Sequence, residues 1–353
     1  MTYDPNVKAA LVAAGFLQKC GAFVVVDGQF GSTGKGLASG MLAEMFHENV
    51  DIVTSNAGPN SGHTNYFKGE KIVLKQLPTF AVTARKIGAK MQVFMNAGAV
   101  IAPETLNEEI VAHRMEDWVT VHPHAACVTD TSVQMDATNV QSIGSTGKGT
   151  GPAQILKTMR KNTSAVAIGH SDKIIADVAH FDTNDHEVVM VEVSQGFSLG
   201  INSGFYPFTT SRECTVAQAL SDARIPIENY RDNLMVVRSY PIRVAGNSGP
   251  GYHDQQEISW DELGVEPEIT TVTKKVRRVF TWSDEQFMEA AYVNRPGVVM
   301  LNFANYLVQQ GHDVDKFVRE RVLRSYVTAL GRMPKAILLG FGPESKDVKL
   351  WTQ

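Results

Sequence analysis

Apolar residues recur along this chain in two rhythms. Short apolar runs, several rich in β-branched residues, occupy positions 22–27, 52–55, 92–97, 118–122, 188–193, 234–239 and 336–340, and each predicts a buried strand. Stretches with apolar positions at helical spacing cover 37–47, 103–115, 215–223, 283–291 and 314–329 and predict helices. Strands that alternate with helices imply an α/β fold, with a largely parallel central sheet flanked by helices. No low-complexity linker divides the chain. A single domain over residues 1–353 is therefore expected, with long loop insertions and with residues 1–20 as an N-terminal extension.

Glycine punctuates the pattern. The hexapeptide GSTGKG occurs at 31–36 and again at 144–149. The first copy lies in loop 28–36, between a strand and a helix. Glycines let backbone N–H groups approach an anion there, and the helix N-terminus favours negative charge. Lys35 can neutralise the outer phosphates of a nucleotide. The common signature G-x-x-x-x-G-K-[ST] is broken twice. Gly28 lies one residue too far back, and Gly36 replaces the hydroxyl residue that holds magnesium. A metal ligand must then come from elsewhere, and Ser32 is the candidate within the loop.

The second copy has no clear strand before it. Gly144, Gly147, Gly149 and Gly151, with Ser145, Thr146 and Lys148, fit a second phosphate site. Lys157, Arg160 and Lys161 follow at helical spacing, so Lys157 and either neighbour are expected on one face. Two such loops imply a triphosphate and a separate phosphorylated substrate.

Composition narrows the partners. With 43% hydrophobic and 20% charged residues the chain is ordinary globular protein, and a net charge of −4 gives no reason to expect nucleic acid. Its apolar runs fall well short of the roughly 20 residues of a bilayer span, so no transmembrane helix is expected. Cys20, Cys127 and Cys214 are sparse and odd in number, which fits a reducing cytoplasm and not a disulfide framework. A local basic cluster at 274–278, KKVRR, stands against the acidic balance.

From about Val24 to Pro343, several motifs in order resemble the adenylosuccinate synthetase family, whose fold is related to the P-loop nucleotide hydrolases. GQFGSTGKG resembles the family's phosphate loop, which also ends in GKG; this implies nucleotide contacts from Gly31, Thr33, Gly34, Lys35 and Gly36. NAGPNSGHT resembles its second loop, implying Asn60 as a substrate-binding residue, Gly62 as a magnesium ligand and His63 as the catalytic acid. IGSTGKGTGPA resembles the loop that holds the substrate monophosphate, with Ser145 and Thr146 at binding positions. Arg160 aligns with an arginine that the family donates to the neighbouring subunit's site, which implies a homodimer. VSQGFSLGINSGFYPFTTS resembles the stretch that supplies Gln195 and Thr210 to the substrate. TTVTKKVRRV resembles the loop that grips free aspartate. Thr273, Lys275 and Arg277 are best aligned there, with Lys275 standing where the family has arginine. A dicarboxylate needs cations and hydroxyls together, which accounts for the basic cluster. Asn302, Gly342 and Pro343 complete the implied nucleotide set.

Three departures point to a branch. The family's catalytic base is an aspartate directly after the phosphate-loop glycine, and here it is Ser32. A serine hydroxyl is not a base near neutral pH without help. The family recognises guanine of GTP with a lysine and an aspartate in a T-K-L-D-like segment. Here the corresponding residues 301–305 read LNFAN, so no carboxylate accepts the N–H donors of guanine, and an adenine nucleotide becomes the expected donor. The chain is also compact between the second hexapeptide and Val188, and after Pro296.

These departures resemble the viral branch of the family, which makes 2-aminoadenylosuccinate nucleotides. The resemblance implies a ligase acting on dGMP, L-aspartate and ATP or dATP with Mg2+, in the cytoplasm of a host cell. Its implied catalytic set is Ser32, Lys35, His63 and Gln195. The N1 proton acceptor stays open between a Ser32 relay and Asp27. An ordinary adenylosuccinate synthetase using IMP and GTP is one alternative. A nucleotide-binding regulator without chemistry is another, although a regulator needs no dicarboxylate pocket.

Overall fold

Alternate residues of a strand face opposite sides of a sheet. In β1 (Gly21–Asp27) this alternation divides the core: Phe23 and Val25 join one apolar cluster, while Ala22, Val24 and Val26 join the other. The structure, a computed structural model, describes residues 2–139, 147–161, 177–270 and 275–352.

Eight further strands continue the sheet: β2 (Ile52–Ser55), β3 (Gln92–Met95), β4 (Val119–Val121), β5 (Val188–Glu192), β6 (Tyr230–Arg238), β7 (Val298–Asn302), β8 (Ala336–Gly340) and β9 (Val348–Leu350). Their order is β9-β8-β7-β6-β1-β5-β2-β3-β4. Every neighbouring pair is parallel except the edge pair β8–β9. The expected α/β architecture is therefore present. Strand β1 lies at the middle, where the chain order turns in opposite directions on its two sides. In open parallel sheets, ligands bind outside the carboxyl ends of the strands at such a point.

Several expectations need adjustment. The expected helix 314–329 is Val314–Phe317, a π-helical stretch Val318–Leu323, and Arg324–Leu330. The loop expected at 56–64 ends early, because His63–Phe67 pairs antiparallel with Glu70–Leu74. In the N-terminal extension, helix Pro5–Ala13 and the turn after it bury Val7, Leu11, Phe16 and Leu17 in the main core. Cys20, Cys127 and Cys214 are all free thiols. Burial pushes the Cys127 and Cys214 thiols up to about 12, which makes them inert packing residues.

Candidate active site

The phosphate loop is organised from beneath by one carboxylate. Asp27, at the end of β1, is fully buried. Its Oδ1 accepts the N–H groups of Gln29 at 2.8 Å and Gly31 at 3.2 Å. Its Oδ2 accepts the Thr33 hydroxyl at 2.6 Å and Lys35 Nζ at 3.0 Å. Lys35 also donates to the carbonyl of Gln195. Positive φ at Gly31, Ser32 and Gly34 then turns the chain into helix Lys35–Phe46.

Packing explains the GKG ending. A Cβ on Gly36 would stand 2.3 Å from the carbonyl oxygen of Thr64. The helix thus runs against the backbone of the second loop, and a hydroxyl residue has no room at 36. Gly196 abuts the loop in the same way, since a Cβ there would lie 2.1 Å from Gly31 N.

Two further side chains brace the loop. Arg238, at the end of β6, is fully buried and donates to the Ser32 carbonyl at 3.0 Å. It also forks onto Glu268 and lies 3.8 Å from the centre of the Phe303 ring. Burial alone would raise the Glu268 carboxyl, but the guanidiniums of Arg238 and Arg277 overcome it and hold it low. Asn302, at the end of β7, donates to the Thr33 carbonyl at 2.8 Å. It is 2% exposed, and its amide nitrogen is committed to the loop backbone. Ala304, in the same segment 301–305, is fully buried. The Ser32 side chain is exposed at the mouth of the loop.

The second loop converges on the same edge. Asn56 accepts the Ser194 N–H at 3.1 Å and donates to Asp222 at 2.9 Å. His63 Nδ1 stands 3.8 Å from Glu192 Oε2. Glu192 itself accepts the N–H groups of Thr79 and Phe80, the first turn of helix Thr79–Ile87. This fixes the carboxylate behind the imidazole. Gln195 takes positive φ, and its neighbourhood carries the chain to Thr210, whose N–H donates to the Leu199 carbonyl at 2.8 Å.

Of the second hexapeptide, Gly147, Lys148 and Gly149 are described; Ser145 and Thr146 lie outside the described residues. Gly149 donates to Asp136 at 2.6 Å and caps helix Thr150–Thr158. The shared basic face expected for Lys157 and its neighbours is not formed. The helix ends at Thr158, and Arg160 turns into the left-handed region. Lys157 folds inward onto the Ala97 carbonyl, while Arg160 is exposed.

Thr273 also lies outside the described residues. The two ends of its segment are joined by Thr270 N–H to the Lys275 carbonyl at 2.9 Å. Lys275 is exposed, and Arg277 is tied to Glu268 by a backbone bond of 2.8 Å. Gly342 and Pro343 follow β8 at the same edge of the sheet. The fold thus brings the phosphate loop, His63, Gln195 and Arg277 around the carboxyl ends of the strands, and leaves Arg160 pointing outward.

Among the described residues, no cluster of three His, Cys, Asp or Glu side chains could hold a metal ion. Asp27 has both oxygens committed to the loop. The loops offer hard oxygen donors in its place, the exposed Ser32 hydroxyl and the exposed Gly62 backbone. That set fits a magnesium ion that keeps its waters and is carried mainly by nucleotide phosphates.

Sequence reading gave no role to Arg238, Glu268, Glu192 or Arg212. A charged residue closing an apolar strand, as Arg238 closes LMVV and Glu192 closes VVMV, was the available signal. Nothing local marks Glu268 or Arg212.

The sequence model of the adenylosuccinate synthetase family matches residues 24–181 and 170–309. The N6-succino-2-amino-2'-deoxyadenylate synthase of Vibrio phage phiVC8 is 36% identical, over 93% of this chain and 97% of its own length. The adenylosuccinate synthetase of Pyrococcus horikoshii is 30% identical, over 79% of this chain and 81% of its own. Among solved structures, the cyanophage S-2L succinoaminodeoxyadenylate synthetase, bound to dGMP and dATP as an energy donor, superposes with a TM-score of 0.80 at 31% identity, covering 95% of this chain and 96% of that one. The fully ligated adenylosuccinate synthetase of Plasmodium falciparum shares the fold, with a TM-score of 0.74 at 21% identity over 94% of this chain and all of that one. The chain belongs to the adenylosuccinate synthetase family of C–N bond-forming ligases.

Proposed function

We propose that this enzyme joins L-aspartate to C6 of dGMP, with ATP or dATP as phosphate donor. The product is a 2-amino-2'-deoxyadenylosuccinate nucleotide, for diaminopurine nucleotide synthesis. The observation that carries this reading is the exposed Ser32 hydroxyl at the mouth of the phosphate loop. A short side chain there leaves room beside N1 for the 2-amino group of guanine. The S-2L relative bound to dGMP and dATP supports the same choice of nucleotides.

Lys35 is poised for the donor's phosphates, with Gly31, Thr33, Gly34 and Gly36 shaping the cradle and Gly342 and Pro343 beside it. O6 of guanine attacks the γ-phosphorus. The bond from that phosphorus to the bridging oxygen breaks, and ADP or dADP leaves. His63, oriented by Glu192, stabilises O6 as the charge shifts. The N1 proton departs through the Ser32 hydroxyl to water or phosphate. The amine of aspartate, held by Thr273, Lys275 and Arg277, then attacks C6; the C6–O6 bond breaks, phosphate leaves with O6, and the amine's surplus proton goes to the departing phosphate or to water. Asn60, Ser145, Thr146, Gln195 and Thr210 hold the purine nucleotide, with Arg160 of the partner subunit at its phosphate. Magnesium, held through Ser32 and Gly62, would supply charge neutralisation to the donor phosphates.

A homodimer is part of this reading. Ile155 and Met159 are 50% and 59% exposed beside Arg160, and an apolar patch beside an outward cation suits a subunit contact. Host cytoplasm is the proposed location. Among the described residues, no helix is long and apolar enough to cross a membrane.

The test is direct. The enzyme is incubated with dGMP or IMP, with ATP, dATP or GTP, and with aspartate, and the succinyl adduct is measured by mass spectrometry. Adduct from dGMP with an adenine nucleotide supports the proposal. Adduct only from IMP with GTP would establish the ordinary synthetase in its place.

A further inference from the structure

Buried donors without acceptors mark a place where a ligand belongs, because an unpaired buried polar group is costly. Arg212 is 7% exposed. Its Nη1 donates to the carbonyls of Asn56 at 2.6 Å and Gly98 at 2.7 Å. Its Nε and Nη2 are buried with no partner, and so are Thr150 Oγ1 and Asn60 Oδ1. Asn60, the Arg212 guanidinium and Thr150 come together beside Gly58. A Cβ on Gly58 would lie 3.2 Å from Asn60 Oδ1, 3.4 Å from Arg212 Nη2 and 3.4 Å from the Thr150 methyl.

The local charge has the same sense. Lys157 and Arg212 both line a cavity of about 190 Å³, together with the carboxylate of Asp222. Both Asp222 oxygens are already taken, by Asn56 at 2.9 Å and Gln218 at 2.7 Å. Burial pushes both cations down, with Asp222 opposing it. Two partly desolvated cations therefore share one carboxylate, which leaves a surplus of positive charge beside the cavity. Thr150 opens helix Thr150–Thr158, whose first N–H groups have no acceptor within the helix.

We propose that Arg212, with the Thr150 hydroxyl, binds the 5'-phosphate of the purine mononucleotide from within the subunit. This rests on the proposed function only in taking the second hexapeptide's side of the site for the mononucleotide. The phosphate then has a guanidinium from its own chain, whatever the partner subunit adds. Gly58 keeps space open beside the guanidinium, since a side chain there would meet Asn60, Arg212 Nη2 and the Thr150 methyl.

The experiment compares Arg212→Gln, Arg212→Lys and Thr150→Val with the unaltered enzyme. Calorimetry gives affinities for dGMP, for deoxyguanosine and for ATP. Arg212→Gln should weaken dGMP about 100-fold and Thr150→Val about tenfold, with deoxyguanosine and ATP unchanged. Arg212→Lys should recover part of the loss. Because Arg212 also holds two carbonyls, Arg212→Gln can unfold the chain; Thr150→Val, nearly isosteric, then decides. Equal weakening of dGMP and deoxyguanosine, or unchanged dGMP affinity in folded Thr150→Val and Arg212→Lys, would overturn the proposal. Should the unaltered enzyme bind but not convert dGMP, with affinity still dependent on Arg212, the proposed reaction fails and this assignment stands. Turnover of dGMP by a folded Arg212→Gln at unchanged KM would do the opposite, keeping the reaction and removing Arg212 from the phosphate.

Discussion

Asp27 Oδ2 lies 3.0 Å from Lys35 Nζ, with both side chains withdrawn from water. The pair spans the phosphate loop from the end of β1 to its lysine. Asp27 also fixes Gln29, Gly31 and Thr33, so one carboxylate sets the loop before any nucleotide arrives. Replacing Asp27 by Asn keeps the shape but leaves a buried ammonium without its counter-charge. A loss of about 3–5 kcal/mol is expected. A bound triphosphate offers Lys35 another anion, so ATP should narrow the gap in melting temperature between Asp27→Asn and the unaltered enzyme. A gap that stays the same with and without ATP would show that Lys35 depends on Asp27 in both states.

His122 predicts an acid-sensitive step. Burial, with help from His124 and Lys157, lowers its pKa from 6.5 to about 4. Its Nδ1 accepts the His124 N–H at 3.1 Å, a bond that protonation of Nδ1 would break. Below pH 6.5 the unfolded chain takes up a proton that the folded chain refuses until about pH 4. The stability from neutral His122 is thus whole above pH 6.5 and is lost as the pH falls towards 4. Against His122→Gln, which does not titrate, the unaltered protein should lose up to about 1.4 kcal/mol per pH unit in that window. Denaturant melts from pH 7 to pH 4 measure this, and parallel curves for the two proteins would contradict it.

Donor choice follows from β7 and what comes after it. Asn302 gives its amide nitrogen to the phosphate loop, and residues 301–305 carry no carboxylate. Turnover with ATP or dATP should therefore exceed turnover with GTP at equal concentration. A site built to hydrogen-bond guanine would favour GTP by about 10⁴-fold, and without the paired acceptor that preference is lost. Faster turnover with GTP would mean that another segment reads the base.

Arg160 tests the shared site. Chains carrying Arg160→Leu and chains carrying Lys35→Ala should each be nearly inactive alone. Mixed, they form hybrid dimers in which one site has both residues intact. Up to about a quarter of all sites in a statistical mixture would then be active, an expectation from random pairing of symmetric subunits. Hybrids shown to form by mass spectrometry, yet without activity, would place Arg160 outside the neighbouring site.

Much of the frame was legible because the sheet is buried on both faces. Strands 52–55 and 336–340 end where their apolar runs end. The hairpin after His63 was not legible: Thr64, Glu70 and Lys71 are exposed, and its pattern is too polar to announce a strand. The phosphate loop was visible in its glycines, but its organiser was not. Asp27 reads as a strand end and a candidate proton acceptor until the fold brings Thr33 and Lys35 back to it. Arg238, Glu268 and Arg212 act across separations of 30 to 206 residues, which no local pattern carries.

Purine selection rests on Ser32, and the geometry of that residue makes the test sharp. Its carbonyl is fixed by Arg238 and its φ is 54°, so the direction of its side chain is set by the backbone. Ser32 is exposed, and under the proposed function the purine's N1 edge lies beside it. Ser32→Asp puts a carboxylate in that place. For a purine with no 2-substituent, the carboxylate supplies a proton acceptor at N1. For guanine it crowds the 2-amino group. A well-placed proton acceptor typically contributes about 10²–10⁴-fold, so the ratio of kcat/KM for dGMP to that for IMP should fall by a readily measured factor. If Ser32 serves only as a magnesium or phosphate-loop ligand, both substrates should change alike. An unchanged ratio in steady-state assays at saturating ATP and aspartate would remove Ser32 from purine selection and leave it with the metal.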